Sequence, residues 1–328
     1  MSIYLETPKK FRPLIQQAHL LAEELLRPNS RKYDEAEHAY PKELDMLRSL
    51  VDGMNDAGSG TGAGGVRRDE NGNGNGENKN GTNLSTALSI VEMCWGDVGL
   101  LLTMPGQGLG NSAIASVAND EQLERFKGKW AAMAITEPEA GSDSAAIRTT
   151  AVKDGDDYIL NGEKIYVTSG ERADLVVVWA TVDPSAGRAA IKSFVVERDN
   201  PGMKLDRLEH KLGIRASDTA AFILQDCRVP AKNLLGDPEV HTDKGFAGVM
   251  QTFDNTRPLV AAMAVGVARA ALDETRELLK EAGVEIDYDK PAAHQIAAAA
   301  EFLELEADWE AAKLLTMEAA WMADNSKP

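Results

Sequence analysis

The sequence predicts an α+β protein, with an N-terminal helical domain, a central antiparallel β-barrel or sandwich, and a C-terminal helical bundle that is incomplete in this chain. Three observations predict it. Apolar residues recur at three- and four-residue steps through most of residues 1–128, short Val-, Ile- and Thr-rich runs fill 129–236, and helical spacing returns over 237–328. These spans are the expected domains, the first containing a Gly/Asn-rich flexible stretch at 53–82. A chain of 328 residues suits two or three domains or lobes.

Taken in order, Phe11, Leu14, Ile15, Ala18, Leu21, Ala22 and Leu25 mark one face of an amphipathic helix. Pro28–Arg31 is expected to interrupt it, and Pro41–Val51 to begin another helix with the proline near its first turn. Gly53 to Gly81 holds ten of the 28 glycines with almost nothing apolar between them, so it reads as a mobile loop or linker, either a tolerated insertion or a lid. Asn83, Ser85 or Thr86 is a suitable cap for the helix that follows. The strands are expected at Ala131–Thr136, Thr149–Val152, Tyr158–Leu160, Lys164–Val167, Leu175–Thr181, Ile191–Glu197 and Ala221–Val229. Turns at Asp154-Gly155-Asp156, Asn161-Gly162, Asp183-Pro184 and Asn200-Pro201-Gly202 would separate them, with Asn161-Gly162 as a tight hairpin. Beyond Pro230, helices are expected over Val260–Leu279 and about Ala292–Met322.

Composition excludes several function classes. Lys plus Arg is 35 and Asp plus Glu 52, a net charge of −17 that repels a nucleic-acid backbone. No apolar run reaches the roughly 18 residues of a membrane span, and Met1–Lys10 has the pattern of neither a signal nor a transit peptide. Cys94 and Cys227 are the only cysteines, which fits a reduced cytoplasm without a disulfide frame. Five scattered histidines offer no metal-binding spacing, so no metal is expected.

Three segments can carry chemistry. In Ala134-Ile-Thr-Glu-Pro-Glu-Ala-Gly-Ser-Asp143 a strand runs into a loop rich in N–H groups and in the hydroxyls of Thr136 and Ser142. Such a loop suits an anionic or heteroaromatic ligand, although a plain β-turn has the same composition. In Asn161–Gly170, Tyr166 and Thr168 stand two apart and so share a strand face. That pair suits a planar cofactor or ordinary face packing equally well. In Phe253-Asp-Asn-Thr-Arg-Pro258, just before a long helix, Asp254 and Arg257 form either a helix-end ion pair or a recognition site for a polar ligand.

Together with Lys211–Thr219, Asp226–Pro230, Ala271-Leu-Asp-Glu274 and His294-Gln295, these segments in this order and spacing resemble the acyl-CoA dehydrogenase family. The resemblance runs from about residue 85 to residue 325 and is weaker in the N-terminal helices. It implies FAD as cofactor and α,β-dehydrogenation of an acyl-CoA thioester, a glutamate removing the α-proton while hydride leaves Cβ for flavin N5. It places Thr136 and Thr168 at the flavin edge, Tyr166 against its face, and Met133, Ile135, Gly141 and Ser142 along the isoalloxazine side. Ser142, Asp254 and Arg257 would contact the CoA substrate, and Leu100–Gly110 would form the pocket floor, where Pro105, Gly106, Gly108 and Gly110 leave room. An electron-transfer flavoprotein is the implied acceptor, and a homo- or hetero-oligomer, dimer or tetramer, the implied assembly.

The sequence departs from the family pattern at several points. Tyr166 replaces the commoner tryptophan but keeps a stacking surface. Thr256 occupies one of the family's two positions for the base, and a hydroxyl cannot serve there. The other position, in a C-terminal Glu-Gly-Thr segment, has no counterpart before Pro328, so no catalytic residue is identifiable. Acidic Lys280–Asp289 stands where the family has an arginine that reaches the FAD pyrophosphate. The Gly/Asn-rich stretch replaces a Gly-Gly-containing active-site loop, and the acidic net charge leaves CoA binding to local cations such as Arg215 and Arg257. A different reading follows from the missing arginine: a non-catalytic or half-site partner subunit of a heteromeric acyl-CoA dehydrogenase.

Overall fold

The computed structural model describes residues 7–45, 81–105, 108–240 and 247–325. Most of the expected Pro41–Val51 helix and of the Gly/Asn-rich stretch lies outside them. By its contacts the chain divides into two units, one of residues 1–30, 73–101 and 257–328, the other of 31–72 and 102–256.

In the helical unit, α1 (Arg12–Leu21) passes through a π-helical turn (Ala22–Leu26) into α2 (Arg27–Ala36). The interruption expected at Pro28–Arg31 does not occur. Proline lacks the N–H for the bond to the carbonyl four residues back and its ring strikes that carbonyl; the wider π turn just before it relieves both faults. Helix α3 (Thr82–Gly96) starts behind Gly81, whose φ is 62°. The expected caps Asn83, Ser85 and Thr86 lie inside this helix. Its first N–H groups, on Asn83 and Leu84, donate instead to the Asp324 carboxylate at 2.8 and 3.0 Å. Close helix packing explains two glycines here, since a Cβ on Gly96 would lie 2.8 Å from the Ala22 carbonyl oxygen and one on Gly266 2.4 Å from that of Val91. Ala87, Val91, Ala262, Val265 and Ala320 form the core between α3 and the two long C-terminal helices.

Those helices are α7 (Ala247–Glu281) and α8 (Ala297–Asn325), and the indole of Trp309 on α8 donates to the Val265 carbonyl at 2.9 Å. Phe253–Pro258, expected to precede a helix, lies within α7. The proline removes one backbone bond, and the apolar spacing on either side carries the helix past it. The acidic loop after α7 is held by Gln295, whose side chain accepts from the Asp287 N–H and donates to the Asp287 and Lys290 carbonyls.

In the other unit, after α4 (Val98–Leu102), helices α5 (Leu109–Val117) and α6 (Asp120–Arg125) precede an eight-stranded sheet. The strands are β1 (Ala131–Ala134), β2 (Thr150–Asp154), β3 (Asp157–Thr168), β4 (Leu175–Thr181), β5 (Ile191–Glu197), β6 (Met203–Leu208), β7 (Thr219–Pro230) and β8 (Leu234–Leu235). They are ordered β6-β7-β3-β2-β4-β5-β8, with β1 beside β4. The α+β class is as expected, and most pairings are antiparallel, but β1 runs parallel to β4. Every residue of β4 is buried, as its unbroken apolar run requires.

Asn161-Gly162 is not a hairpin turn. The β2–β3 turn falls at Gly155 (φ 61°), and Asn161-Gly162 continues β3 opposite a bulge in β7. There Asp226, at φ 47°, donates its N–H to the Asn161 side chain at 2.8 Å. Gly162 is required because a Cβ would come within 2.4 Å of the Thr149 hydroxyl. Gly108 and Gly110 do not leave open room either: a Cβ on them would meet the Ala131 and Ala132 carbonyl oxygens at 2.0 and 2.2 Å, so they let the start of α5 lie directly on β1.

Candidate functional site

The end of β1 and the second half of β3 come together in the sheet unit. The N–H of Ile165 donates to the Thr136 carbonyl at 2.9 Å, so the loop leaving β1 is stitched to β3 one residue from Tyr166. Strict alternation along β3 from Tyr158 and Leu160 would turn Tyr166 into the core. A bulge prevents this. Three steps on β3, from Lys164 to Val167, oppose two on β7, from Phe222 to Ala220, and Tyr166 takes a φ of 58°. Lys164 and Ile165 are consequently both buried, and the Tyr166 ring emerges 61% exposed. Beyond buried Val167, the half-buried Thr168 again points to the Tyr166 side. The far end of β3 is pinned where the Ser169 N–H donates to the Asp218 carbonyl at 3.0 Å and the wholly buried Asp218 carboxylate accepts the Glu171 N–H at 2.9 Å.

Of the sequence-predicted site residues, Thr136, Tyr166 and Thr168 are thus brought together. Met133 is half-buried on β1 and Ile135 is buried just after it. Gly141 and Ser142 are exposed further along the same loop, behind the tight Glu137–Ala140 turn whose N–H and C=O groups pair at 3.0 and 3.1 Å. Among the described residues, the hydroxyls of Thr136, Ser142 and Thr168 and the N–H groups of Gly141, Ser142 and Asp143 make no hydrogen bond. An exposed aromatic face beside unused hydroxyls and N–H groups suits a flat heterocycle with polar edges. Arg257 is exposed and belongs to the helical unit. The side chain of Asp254 lies outside the described residues, as do Gly106 and Gln107 of the expected pocket floor.

Two further residues of these segments, Lys164 and Glu137, carry charge into the sheet unit's interior. The side chain of Lys164 is 0% exposed, and its Nζ donates to Glu137 Oε1 at 2.7 Å and to the Ile135 carbonyl at 3.0 Å. Glu137 also accepts from the Thr149 hydroxyl at 2.5 Å, the Thr149 N–H at 3.0 Å and the Arg148 N–H at 2.6 Å. Burial alone would push the Glu137 carboxyl up, but the Lys164 ammonium and these donors outweigh it and hold it below the usual range. Burial pulls Lys164 down, to about 8, against the attraction of Glu137.

Comparison with known proteins identifies the family. Residues 132–227 match the acyl-CoA dehydrogenase middle domain and residues 243–328 the C-terminal domain. The short-chain-specific acyl-CoA dehydrogenase of Megasphaera elsdenii is 33% identical over 323 residues, covering 96% of this chain and 79% of that protein. The chain therefore belongs to the acyl-CoA dehydrogenase family. The cyclohex-1-ene-1-carbonyl-CoA dehydrogenase of Geobacter metallireducens is 38% identical over 209 residues, 63% of this chain and 53% of that enzyme. The chain spans about half the length of this and other curated relatives such as the acryloyl-CoA reductase (NADH) of Anaerotignum propionicum, 36% identical over 66% of this chain and 55% of the enzyme. The solved butyryl-CoA dehydrogenase of Megasphaera elsdenii superposes with a TM-score of 0.81 at 31% identity, covering 100% of this chain and 82% of that one.

Proposed function

We propose that this chain carries FAD-dependent α,β-oxidoreduction of an acyl-CoA thioester, dehydrogenation to the 2-enoyl-CoA being the forward direction. The observation that supports it most is the flared Tyr166 ring beside the unused hydroxyls of Thr136 and Thr168. Bound FAD would supply the hydride acceptor for Cβ. The chain's own part is positional: Tyr166 offers a stacking face, Thr136 and Thr168 offer hydroxyls for a ring edge, and Met133, Ile135 and Gly141 line that side. Ser142 and the neighbouring N–H groups offer donors to polar atoms of the substrate. For Asp254 and Arg257 the assignment to the CoA moiety rests on the family resemblance.

The proton acceptor is not Thr256, a buried hydroxyl that cannot take up an α-proton at neutral pH. An electron-transfer flavoprotein is the proposed acceptor, and an oligomer the proposed assembly. Among the described residues no helix is long and apolar enough to cross a membrane. Cys94 and Cys227 are free and buried, and two cysteines without a disulfide fit a reducing compartment, for which we propose the cytoplasm. The acidic segment after α7 favours a second reading, a half-site subunit that completes its flavin site with an unlike partner.

A visible absorption spectrum of the purified chain, before and after anaerobic addition of a panel of acyl-CoAs, tests both. A bound flavin band that bleaches with an acyl-CoA is the expected result. Flavin retained only after co-purification with a second subunit would favour the half-site reading. Failure to take up FAD in either form would overturn both.

A further inference from the structure

We propose that the buried Lys164–Glu137 pair is the positioning device of the cofactor platform, acting through Thr136 and Tyr166 without itself touching a ligand. The inference rests on the flavin reading above and deepens it. Lys164 is the last residue before the β3 bulge, and its ammonium reaches across to the β1 exit at two points, the Ile135 carbonyl and the Glu137 carboxylate. Between those two anchors stands Thr136, whose carbonyl takes the Ile165 N–H from the bulge itself. Glu137 in turn is fixed by Arg148 and Thr149 at the start of β2. Three strands thus meet at one dry ion pair, and of the two residues that present the platform Thr136 makes the bulge–loop stitch with Ile165 and Tyr166 adjoins it.

A buried ion pair is poor evidence for a stabilising role, because desolvating two charges cancels much of their attraction and a neutral pair of similar shape often folds as well. What the pair supplies is direction. A backbone held at φ 58° in a tyrosine is an unfavourable conformation that relaxes unless its surroundings hold it. The ammonium bonded to Ile135 and Glu137 and the Ile165–Thr136 bond both tie the bulge to the loop leaving β1.

The test compares the full chain with a Lys164→Met/Glu137→Gln double variant, which removes both charges while the amide keeps an acceptor for Thr149. Three readouts are needed: thermal unfolding without FAD, FAD affinity with the visible absorption and circular dichroism of the bound flavin, and amide exchange at Ile165. The expected result is a variant that still unfolds cooperatively, binds FAD about tenfold more weakly, shows an altered flavin spectrum, and exchanges its Ile165 amide at least about tenfold faster while β4 and β5 amides are unchanged. Unaltered FAD affinity, spectrum and Ile165 exchange would overturn the proposal. If the parent chain binds no FAD, the flavin reading fails; unchanged Ile165 exchange then also removes the tie, whereas faster exchange keeps the tie and removes only its cofactor role. Should the double variant not fold, Thr149→Val, which removes one donor to Glu137 and leaves the ion pair whole, carries the same comparison, with smaller shifts in the same direction.

Discussion

Each unit of the molecule buries a carboxylate in the path of its main helices or strands, and the two solve the problem differently. Glu137 in the sheet unit is 7% exposed and Glu92 on α3 is 9% exposed. Around Glu137 the donors include two backbone N–H groups, from Arg148 and Thr149, in addition to Lys164 and the Thr149 hydroxyl. Around Glu92 they are side chains from neighbouring helices, Arg269 at 2.6 Å and His19 at 2.9 Å. The contrast follows from the backbones. Past its first turn a helix spends its N–H groups on its own carbonyls, so a carboxylate beside a helix middle, unlike Asp324 at the start of α3, must find long side chains. A loop beside a sheet has N–H groups left over. The cations differ too, since Lys164 is wholly buried whereas the side chains of Arg269 and His19 are 29% and 33% exposed.

The sharpest way to break this contrast is to remove one cation from each site. Lys164→Met leaves the Glu137 charge nearly enclosed and without a cation, and denaturant unfolding should show a loss of about 3–5 kcal/mol. Arg269→Met leaves Glu92 with His19 and a route to solvent, and the same measurement should show about 1–2 kcal/mol. Equal losses in the two variants would mean that the carboxylates are equally dry, contrary to their partners' exposure.

The same contrast bears on what the sequence makes legible. The α+β class and the zones of helix and strand follow from periodicity alone, and β4 and β5 fall on the residues their apolar runs predict, Leu175–Thr181 and Ile191–Glu197. What periodicity misses is β3. Reading Asn161-Gly162 as a hairpin cuts the strand in two, and with the cut goes the signal that mattered. On an unbroken strand, Tyr158, Leu160, Gly162 and Lys164 are all even-numbered and share one face, so a lysine inside the core was there to be read. The flare of Tyr166 is not legible there: it depends on a bulge that one strand cannot reveal without its partner β7. Strand β6 gives neither a continuous apolar run nor a clean alternation, because Asp206 and Arg207 both separate Leu205 from Leu208. In the site, Thr136, Tyr166 and Thr168 could be named from their segments, whereas Glu137 looks like a loop charge until the fold closes over it. The start of α3 is illegible for a related reason, since the group that satisfies it, Asp324, stands 241 residues away from Asn83.

A third carboxylate, half-buried Glu37, sharpens the comparison. Glu37, after α2 in the sheet unit, accepts from His210 at 3.0 Å, Arg215 at 3.3 Å and the Lys211 N–H at 3.3 Å. These bonds, His210 foremost and then Arg215, hold its carboxyl well below the ordinary 4.5, at about 2. A carboxylate whose folded value lies below its unfolded one binds fewer protons in the folded state, so its contribution is complete above pH 4.5 and declines as the pH falls towards 2. The segment it fastens, where the His38 N–H donates to the Arg215 carbonyl at 3.3 Å and Arg172 donates to the His38 carbonyl at 2.7 Å, should therefore loosen over that window. Amide exchange at His38, compared between the parent chain and Glu37→Gln, measures it. The parent should lose protection progressively between pH 4.5 and 2, and the variant, which has no charge to lose at that position, should exchange faster above this range and lack the step. An identical profile in both would show that Arg172 alone fastens the segment, and that half-buried Glu37 does here much less than the enclosed Glu137 does at the bulge.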